Sequence, residues 1–279
     1  KCIKCDNDSC VEIAYARQDL CSECFCRQVE KRVAKANHEF SLLRRGDRIA
    51  VGVSGGKDSA ALLYILHAMA KRIGEIELIP IAVDEGIEGY RSKALVKAHE
   101  LCNSLGLQLR VYSYREHLGA SLDEMLLRER SMGACSYCGV FRKTLLNKAA
   151  LEAGANKLAV GHNLDDVIQT FLMNLLRNDG VKLSRFGVAS EGEAGLVPRI
   201  KPLVFVPERE CALYATLREL PFYLGECPHS SEAFRGVVKN FLNEAEEKHP
   251  GTKFALLNSF LSLKQVLPEM PAKQESKAC

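Results

Sequence analysis

Three sets of residues in this chain have types and spacings that could do chemistry. The first is Ser54-Gly55-Gly56-Lys57-Asp58-Ser59, set between a strand-like run, 48–53, and a helix-like run, 60–73. Paired glycines let backbone approach an anion closely, and a helix that follows them offers its unpaired N–H groups and positive dipole end to phosphate. The string is therefore a phosphate cradle. It is not a Walker loop, which would need Gly where Val51 stands and Ser or Thr where Asp58 stands.

The second set is cysteine. The chain has 12 cysteines, too many to be idle. Cys2-x2-Cys5 and Cys21-x2-Cys24 are two thiol pairs in a segment too short to hold a fold by other means, the pattern of a tetrahedral zinc site. Cys10 and Cys26 fall outside that spacing and read as a loop and a helix cysteine. Cys102 and Cys211 lie in helical apolar patterns and read as buried structural thiols. Cys135-x2-Cys138 by itself fits zinc, an iron–sulfur corner or a redox dithiol. With Cys227 far downstream it makes three thiols lacking an evident fourth, which would ligate three irons of a cubane and leave one iron open to bind sulfur. A persulfide carrier with a resolving thiol is the competing use of the same cysteines.

The third set is carboxylate. Val83-Asp84-Glu85-Gly86 closes one strand-like run, and Gly161-His162-Asn163-Leu164-Asp165-Asp166 closes another. Paired carboxylates entering a helix are natural magnesium or ribose contacts beside a triphosphate, although Asp165 could equally cap that helix.

These residues need positioning. Runs 48–54, 77–83, 107–112, 157–160 and 203–206 read as strands. Helical patterns cover 58–73, 91–105, 122–130, 141–153 and 165–176, with terminal helices at 207–220, 231–248 and 252–266. Alternation of this kind demands a doubly wound, mostly parallel α/β sheet with ligands at the carboxyl ends of its strands. Apolar positions Phe25, Val29, Val33, Ala36, Phe40 and Leu43 predict one helix from 24 to 44 that joins the cysteine-rich start to the sheet. The segment 178–199 predicts a loop over the site.

With 47% hydrophobic and 26% charged residues, the composition is that of a soluble globular protein. No apolar run reaches the roughly 18 residues that would indicate a membrane span, and the N-terminus is not basic then apolar, so a cytoplasmic protein without membrane contact is expected. Net charge is only +3, too small to identify a nucleic-acid partner. Local basic clusters at Arg27, Lys31, Arg32 and Lys35, at Arg44, Arg45 and Arg48, and at Arg142, Lys143 and Lys148 could contact phosphates or form solvated faces.

The loop resembles the pyrophosphate loop (PP-loop) of the N-type ATP pyrophosphatases. The N-terminal cysteine pairs, the loop, Val83 to Gly86, Cys135-x2-Cys138-Gly139, Gly161 to Asp166, Leu172-Met173-Asn174 and Cys227 are together similar to the tRNA 2-thiouridine synthetases (TtuA/TtcA-like). Within these the chain is most similar to the archaeal and eukaryotic cytoplasmic tRNA 2-thiolation ATPases, which thiolate the wobble uridine. The resemblance covers nearly the whole chain. It implies a zinc-binding unit at 1–26, a connecting helix at 27–47, an ATP pyrophosphatase core at 48–206, a C-terminal helical part at 207–267 and a tail at 268–279. Cys279 resembles the first ligand of the family's second zinc unit, so the tail is expected to begin a truncated copy of it.

The resemblance also implies the chemistry: ATP adenylates the C2 oxygen of a tRNA uridine, and sulfur displaces AMP. Ser54, Gly55, Gly56 and Ser59 would hold phosphates, with Lys57 as the charge on departing pyrophosphate. Val53, Val83, Asp84 and Gly161 would line the nucleotide site, Asp58, Asp165 and Asp166 would take Mg2+, and Arg142 would meet phosphate or AMP. Cys135, Cys138 and Cys227 would hold a [4Fe–4S] cluster and Cys2, Cys5, Cys21 and Cys24 Zn2+. Implied partners are tRNA, a sulfur donor (a thiocarboxylated ubiquitin-like protein or sulfide) and a second copy in a homodimer. Two other classes use the same loop differently: an amidotransferase-type synthetase acting on a small acid, and a non-catalytic RNA-binding zinc protein.

Overall fold

The computed structural model describes residues 1–128, 133–185, 187–190, 195–225, 227–229 and 233–266. The chain opens with a small antiparallel hairpin, β1 (Val11–Ile13) and β2 (Gln18–Leu20), which brings the two cysteine pairs together, and leads into α1 (Ser22–Phe40). Cys21 caps α1, its sulfur accepting from the Cys24 N–H at 3.5 Å. Phe25, Val29, Val33 and Ala36 are all fully buried, the single stripe that the spacing predicts. The helix stops at Phe40, short of the expected 44, because Ser41 turns left-handed and the Leu43 N–H bonds to the Asn37 side chain at 2.7 Å instead.

The sheet follows: β3 (Arg48–Gly52), α2 (Lys57–Ile73), β4 (Glu77–Asp84), α3 (Arg91–Ser104) and β5 (Arg110–Ser113), then α4 (Tyr114–Leu118), α5 (Leu122–Arg128), α6 (Ala134–Glu152), β6 (Lys157–Ala159), α7 (Leu164–Leu176), α8 (Gly180–Arg185) and β7 (Arg199–Ile200). Its order is β5-β4-β3-β6-β7, every pairing parallel. In β3 and β4 nearly every residue between the ends is buried, as parallel strands covered on both faces require. Because β4 and β6 flank β3, the turns after these three strands converge on one place. The doubly wound expectation holds.

Three local expectations differ. The last strand is Arg199–Ile200, paired with Leu158 and Ala159, whereas 203–206 folds as successive turns with Val206 N–H bonded to Leu203 O at 2.8 Å. Leu203, Val204 and Val206 are buried as completely as strand residues would be, and a short apolar run carries no period to separate the two outcomes. α6 begins seven residues before the expected 141, which places Cys135 and Cys138 on a helix. The 178–199 segment contains α8. The tail 268–279, with Cys279, lies outside the described residues.

The chain closes with α9 (Glu208–Leu217), α10 (Ala233–Lys248) and α11 (Thr252–Val266). α9 packs on α2 and α1, and α10 and α11 pack on α7. Val11, Ile13 and Leu20 of the hairpin belong to the same apolar core as Leu62, Leu66 and Val167. Arg32 on α1 pairs with Glu210 on α9, and both bond to Tyr15 beside the hairpin. The cysteine-rich start is thereby joined to the main core. Leu62, on the buried face of α2, is fully enclosed, so Leu62→Ala is expected to cost about 2–5 kcal/mol in urea unfolding with an unchanged m-value.

Candidate functional site

The loop after β3 is braced by its own serines. Ser59 Oγ accepts from the Ser54 N–H at 3.1 Å, donates to Gly56 O at 2.9 Å and shares a 3.0 Å hydrogen bond with Ser54 Oγ. Gly55 has φ of +82°, and a Cβ there would sit 2.0 Å from the Ala94 carbonyl oxygen. A Cβ on Gly161, in the turn after β6, would lie 3.2 Å from the Ser59 nitrogen. Gly55 is needed because backbone packs on backbone there, and Gly161 makes a tight but looser approach of the same kind. The Tyr223 N–H, donating to Gly55 O at 2.8 Å, anchors the loop from the other side. Gly56 supplies no side-chain cap to α2, which leaves first-turn N–H groups facing the cradle.

Lys57 lies between two carboxylates, Asp58 at 2.9 Å and Glu208 at 3.2 Å. Burial opposes its charge, but Asp58 and Glu208 outweigh burial and raise its pKa; it is a permanent cation. Glu208 also holds Lys239 at 2.8 Å. Asn163, not Asp165, caps α7: its Oδ1 accepts from the Asp166 N–H at 3.0 Å, Asp166 reciprocates, and Asn163 Nδ2 donates to Asp58 at 3.1 Å. The adjacent carboxylates therefore do different things. Asp165 is buried with both oxygens engaged, one by Lys253 on α11 and one by the Glu208 N–H at 2.7 Å. Asp166 faces the loop, and burial followed by the charge of Asp58 pushes its pKa up to about 6.

On the neighbouring strand, the residues after β4 meet the other cysteines. Cys135 and Cys138 occupy the first turn of α6 on one face. Cys138 and Cys227 pack against Val83, Ile87, Tyr114, Leu122 and Leu145. Tyr114 donates to Cys138 O at 2.9 Å, Cys135 donates to His229 O at 2.9 Å, and His229 bonds Asp123 at 2.8 Å. Burial raises the Cys138 thiol pKa, with Arg142 opposing.

The two cysteine groups differ in compactness. Cys2, Cys5, Cys21 and Cys24 have all four sulfurs within 4.8 Å of one another, the one such group of three or more among the described residues. Lys4 and Cys24 N–H groups point at Cys2 and Cys21 sulfurs at 3.4 and 3.5 Å, which favours thiolate. That donor set fits one tetrahedral zinc. Cys135, Cys138 and Cys227 are less tightly drawn together, which suits a cubane with an iron at each corner better than a single ion, and Arg142 works against the rise that burial imposes on the Cys138 thiol.

Beyond Arg142, the cleft gathers cations that the sequence does not bring together. The His162 pKa is lowered, with the nearby cations Lys201, Arg142, Arg235 and Lys143 all opposing its protonation. Lys201 is brought down to about 8 by desolvation, then by Lys143 and Arg199. Arg199 donates to Lys143 O at 3.1 Å, and Arg235 pairs with Asp166 at 3.4 Å; among the described residues Lys143 and Arg199 have no carboxylate partner. So much positive charge beside a phosphate loop suits a polyanion. Lys143 stands out in sequence only as part of a basic run. Lys201, Arg235 and Glu208 acquire their roles from distant elements, whereas Asn163 with Asp166 three residues on is a capping-box pattern legible in the chain.

A phosphate-cradling loop after the first strand of a parallel sheet, with its partners at the carboxyl ends of the flanking strands, defines a PP-loop protein. The family model described as "PP-loop domain" matches residues 25–246. Among curated proteins the chain is 41% identical over 95% of its length to the tRNA 2-thiolation protein NcsA of Haloferax volcanii, covering 87% of that protein. It is 35% identical over 99% of its length to the cytoplasmic tRNA 2-thiolation protein 1 of Caenorhabditis elegans, covering 74%. A solved structure described as the U34-tRNA thiolase NcsA from Methanococcus maripaludis with its [4Fe–4S] cluster superposes with a TM-score of 0.86 at 34% identity, over 98% of this chain and 89% of that one. The chain belongs to the tRNA 2-thiolation family that contains archaeal NcsA and eukaryotic cytoplasmic tRNA 2-thiolation protein 1.

Gly55→Ala is expected to abolish ATP binding measured by calorimetry. Gly74→Ala, also at positive φ but with nothing within 4 Å of its Cβ, should cost only about 1 kcal/mol of stability and leave ATP binding intact. Lys201 is charged below pH of about 8, so tRNA affinity at fixed ionic strength is expected to weaken as pH rises through that value. Lys201→Arg, which stays charged, should remove this dependence.

Proposed function

We propose that this protein is an ATP-dependent tRNA 2-thiolation enzyme that adenylates the C2 oxygen of the wobble uridine and replaces that oxygen with sulfur. One observation carries the reading: Cys138 and Cys227 pack against the apolar cluster that contains Val83 of β4, the strand beside the one that delivers the nucleotide loop. An activated base and a sulfur-holding site can then share one edge of the sheet. The names of the relatives support the substrate.

In this scheme the N–H groups of Gly55, Gly56 and the first turn of α2 bind the phosphates of ATP, with Ser54 and Ser59 fixing their directions. Val53, Val83, Asp84 and Gly161 line the nucleotide, and Asp58 and Asp166 hold magnesium, while Asp165 anchors α9 and α11 behind them. The uridine C2 oxygen attacks the α-phosphorus, and the bond to pyrophosphate breaks with Lys57 stabilising the charge that leaves. Sulfur then adds at C2, and AMP departs with the original oxygen, its phosphate met by Arg142. The cations Lys143, Arg199, Lys201 and Arg235 hold the RNA backbone. Cys135, Cys138 and Cys227 hold a [4Fe–4S] cluster, which when bound supplies an iron free of cysteine ligation to carry the sulfur delivered by a thiocarboxylate or sulfide. The N-terminal cysteines hold a structural zinc.

Anaerobically reconstituted protein is expected to contain about four irons per chain and to show a reduced-cluster EPR signal. Cys227→Ala should lose both the signal and thiolation while keeping ATP binding. Full thiolation by an iron-free protein would replace the cluster with a persulfide relay, and turnover unaffected by Cys227→Ala would instead favour a synthetase of the same loop class.

A further inference from the structure

We propose that the buried Glu85–Arg91 ion pair is a positioning device that couples occupancy of the nucleotide loop to the state of the three-cysteine site. The inference rests on the functional reading above and deepens it.

The pair bridges the two halves of the site. Arg91, the first residue of α3, donates from Nη1 to the Ser54 carbonyl at 2.7 Å, inside the loop. Its Nε lies 2.9 Å from Glu85 Oε2, with side-chain exposures of only 5% and 6%. The other Glu85 oxygen faces Arg142 Nη1 at 3.9 Å, and Arg142 sits one helical turn after Cys138. A continuous charged path therefore runs from the loop carbonyl to the neighbourhood of the cysteines. α3 touches the loop a second time, where the Ala94 carbonyl meets Gly55.

Both members of the pair are fixed by backbone. The Arg91 N–H donates to Ile87 O at 3.0 Å. The Glu85 carbonyl accepts from the Leu122 N–H at 2.8 Å. Gly86 follows at φ of +69°, where a Cβ would lie 2.6 Å from that of Ser121. Between these fixed ends the contact is not directional: Glu85 Oε2 and Arg91 Nε are buried and adjacent but lack hydrogen-bond alignment. Separating two buried charges is costly, whereas reorienting them is not, so displacement at one end moves the other. A well-packed apolar pair would stabilise this turn at least as well as two desolvated charges. Retaining charge here makes sense where both the loop carbonyl and Arg142 must respond to it.

The test is a thermodynamic coupling measurement on the full-length chain, with and without a reconstituted cluster. The dissociation constant of α,β-methylene ATP is measured for iron-loaded and iron-free protein. The wild type should show a difference of at least about fivefold between the two forms. In Glu85→Gln that ratio should collapse to within about twofold. Arg91→Lys keeps the charge but loses the fork that reaches Glu85 and Ser54 together, and should behave the same way. A merely structural role would lower the melting temperature and leave the ratio unchanged. Variants that retain the wild-type ratio, or a wild type whose two forms bind the nucleotide equally, overturn the inference. Failure of the wild type to take up iron or to bind the nucleotide overturns the functional reading and this inference with it, and the iron count and binding isotherm separate that result from the others.

Discussion

Backbone contact at Gly55 governs the geometry around it. A methyl group at that position would lie inside the Ala94 carbonyl, so the loop and the first turns of α3 are locked at a separation that tolerates no side chain. Gly161 repeats the contact against Ser59 from the β6 side. With both flanks fixed, the start of α2 has one position, and so do its free N–H groups. The serine bonds within the loop, the Asn163 bridge to Asp58 and the Tyr223 anchor all depend on that position.

Charge is distributed around this frame in two ways. Behind the loop, carboxylates and cations are matched: Lys57 and Lys239 with Glu208, Lys253 with Asp165, Arg32 with Glu210. These pairs tie α1, α2, α7, α9, α10 and α11 together. In front of the loop cations cluster more closely: Lys143 and Arg199, without a carboxylate partner among the described residues, lie near Lys201 and near Arg235, which pairs with Asp166. A chain with a net charge of only +3 can therefore still present a strongly positive surface, because its carboxylates are spent elsewhere.

The residues that proved easy to read were those whose chemistry needs neighbours close in sequence. The nucleotide loop spans six residues, and the N-terminal cysteine pairs fall two by two on either side of a hairpin. Elsewhere the signal was ambiguous or missing. The run 203–206 is apolar because it is buried, and burial alone does not distinguish a strand from a stack of turns. The start of α6 was placed late because Ala134 to Gly139 has small and polar residues with no apolar period, although helical geometry is what sets Cys135 and Cys138 on one face. Asp165 and Asp166 look equivalent in the chain, yet adjacent helical positions point about 100° apart, so one is buried among α9 and α11 while the other faces the loop.

The amino-acid sequence by itself determined the class of sheet, the identity of the loop and the thiol pairs at either end of the N-terminal hairpin, since alternating elements, glycine pairs and thiol spacings act over short stretches of chain. Tertiary structure decided which cations share the cleft, which carboxylate remains available and how the loop is joined to the cysteines. Glu208, Lys201, Arg235 and the Glu85–Arg91 pair reach their partners only through the order β5-β4-β3-β6-β7 and the return of the C-terminal helices. Charges interact through space, and the fold alone sets those distances.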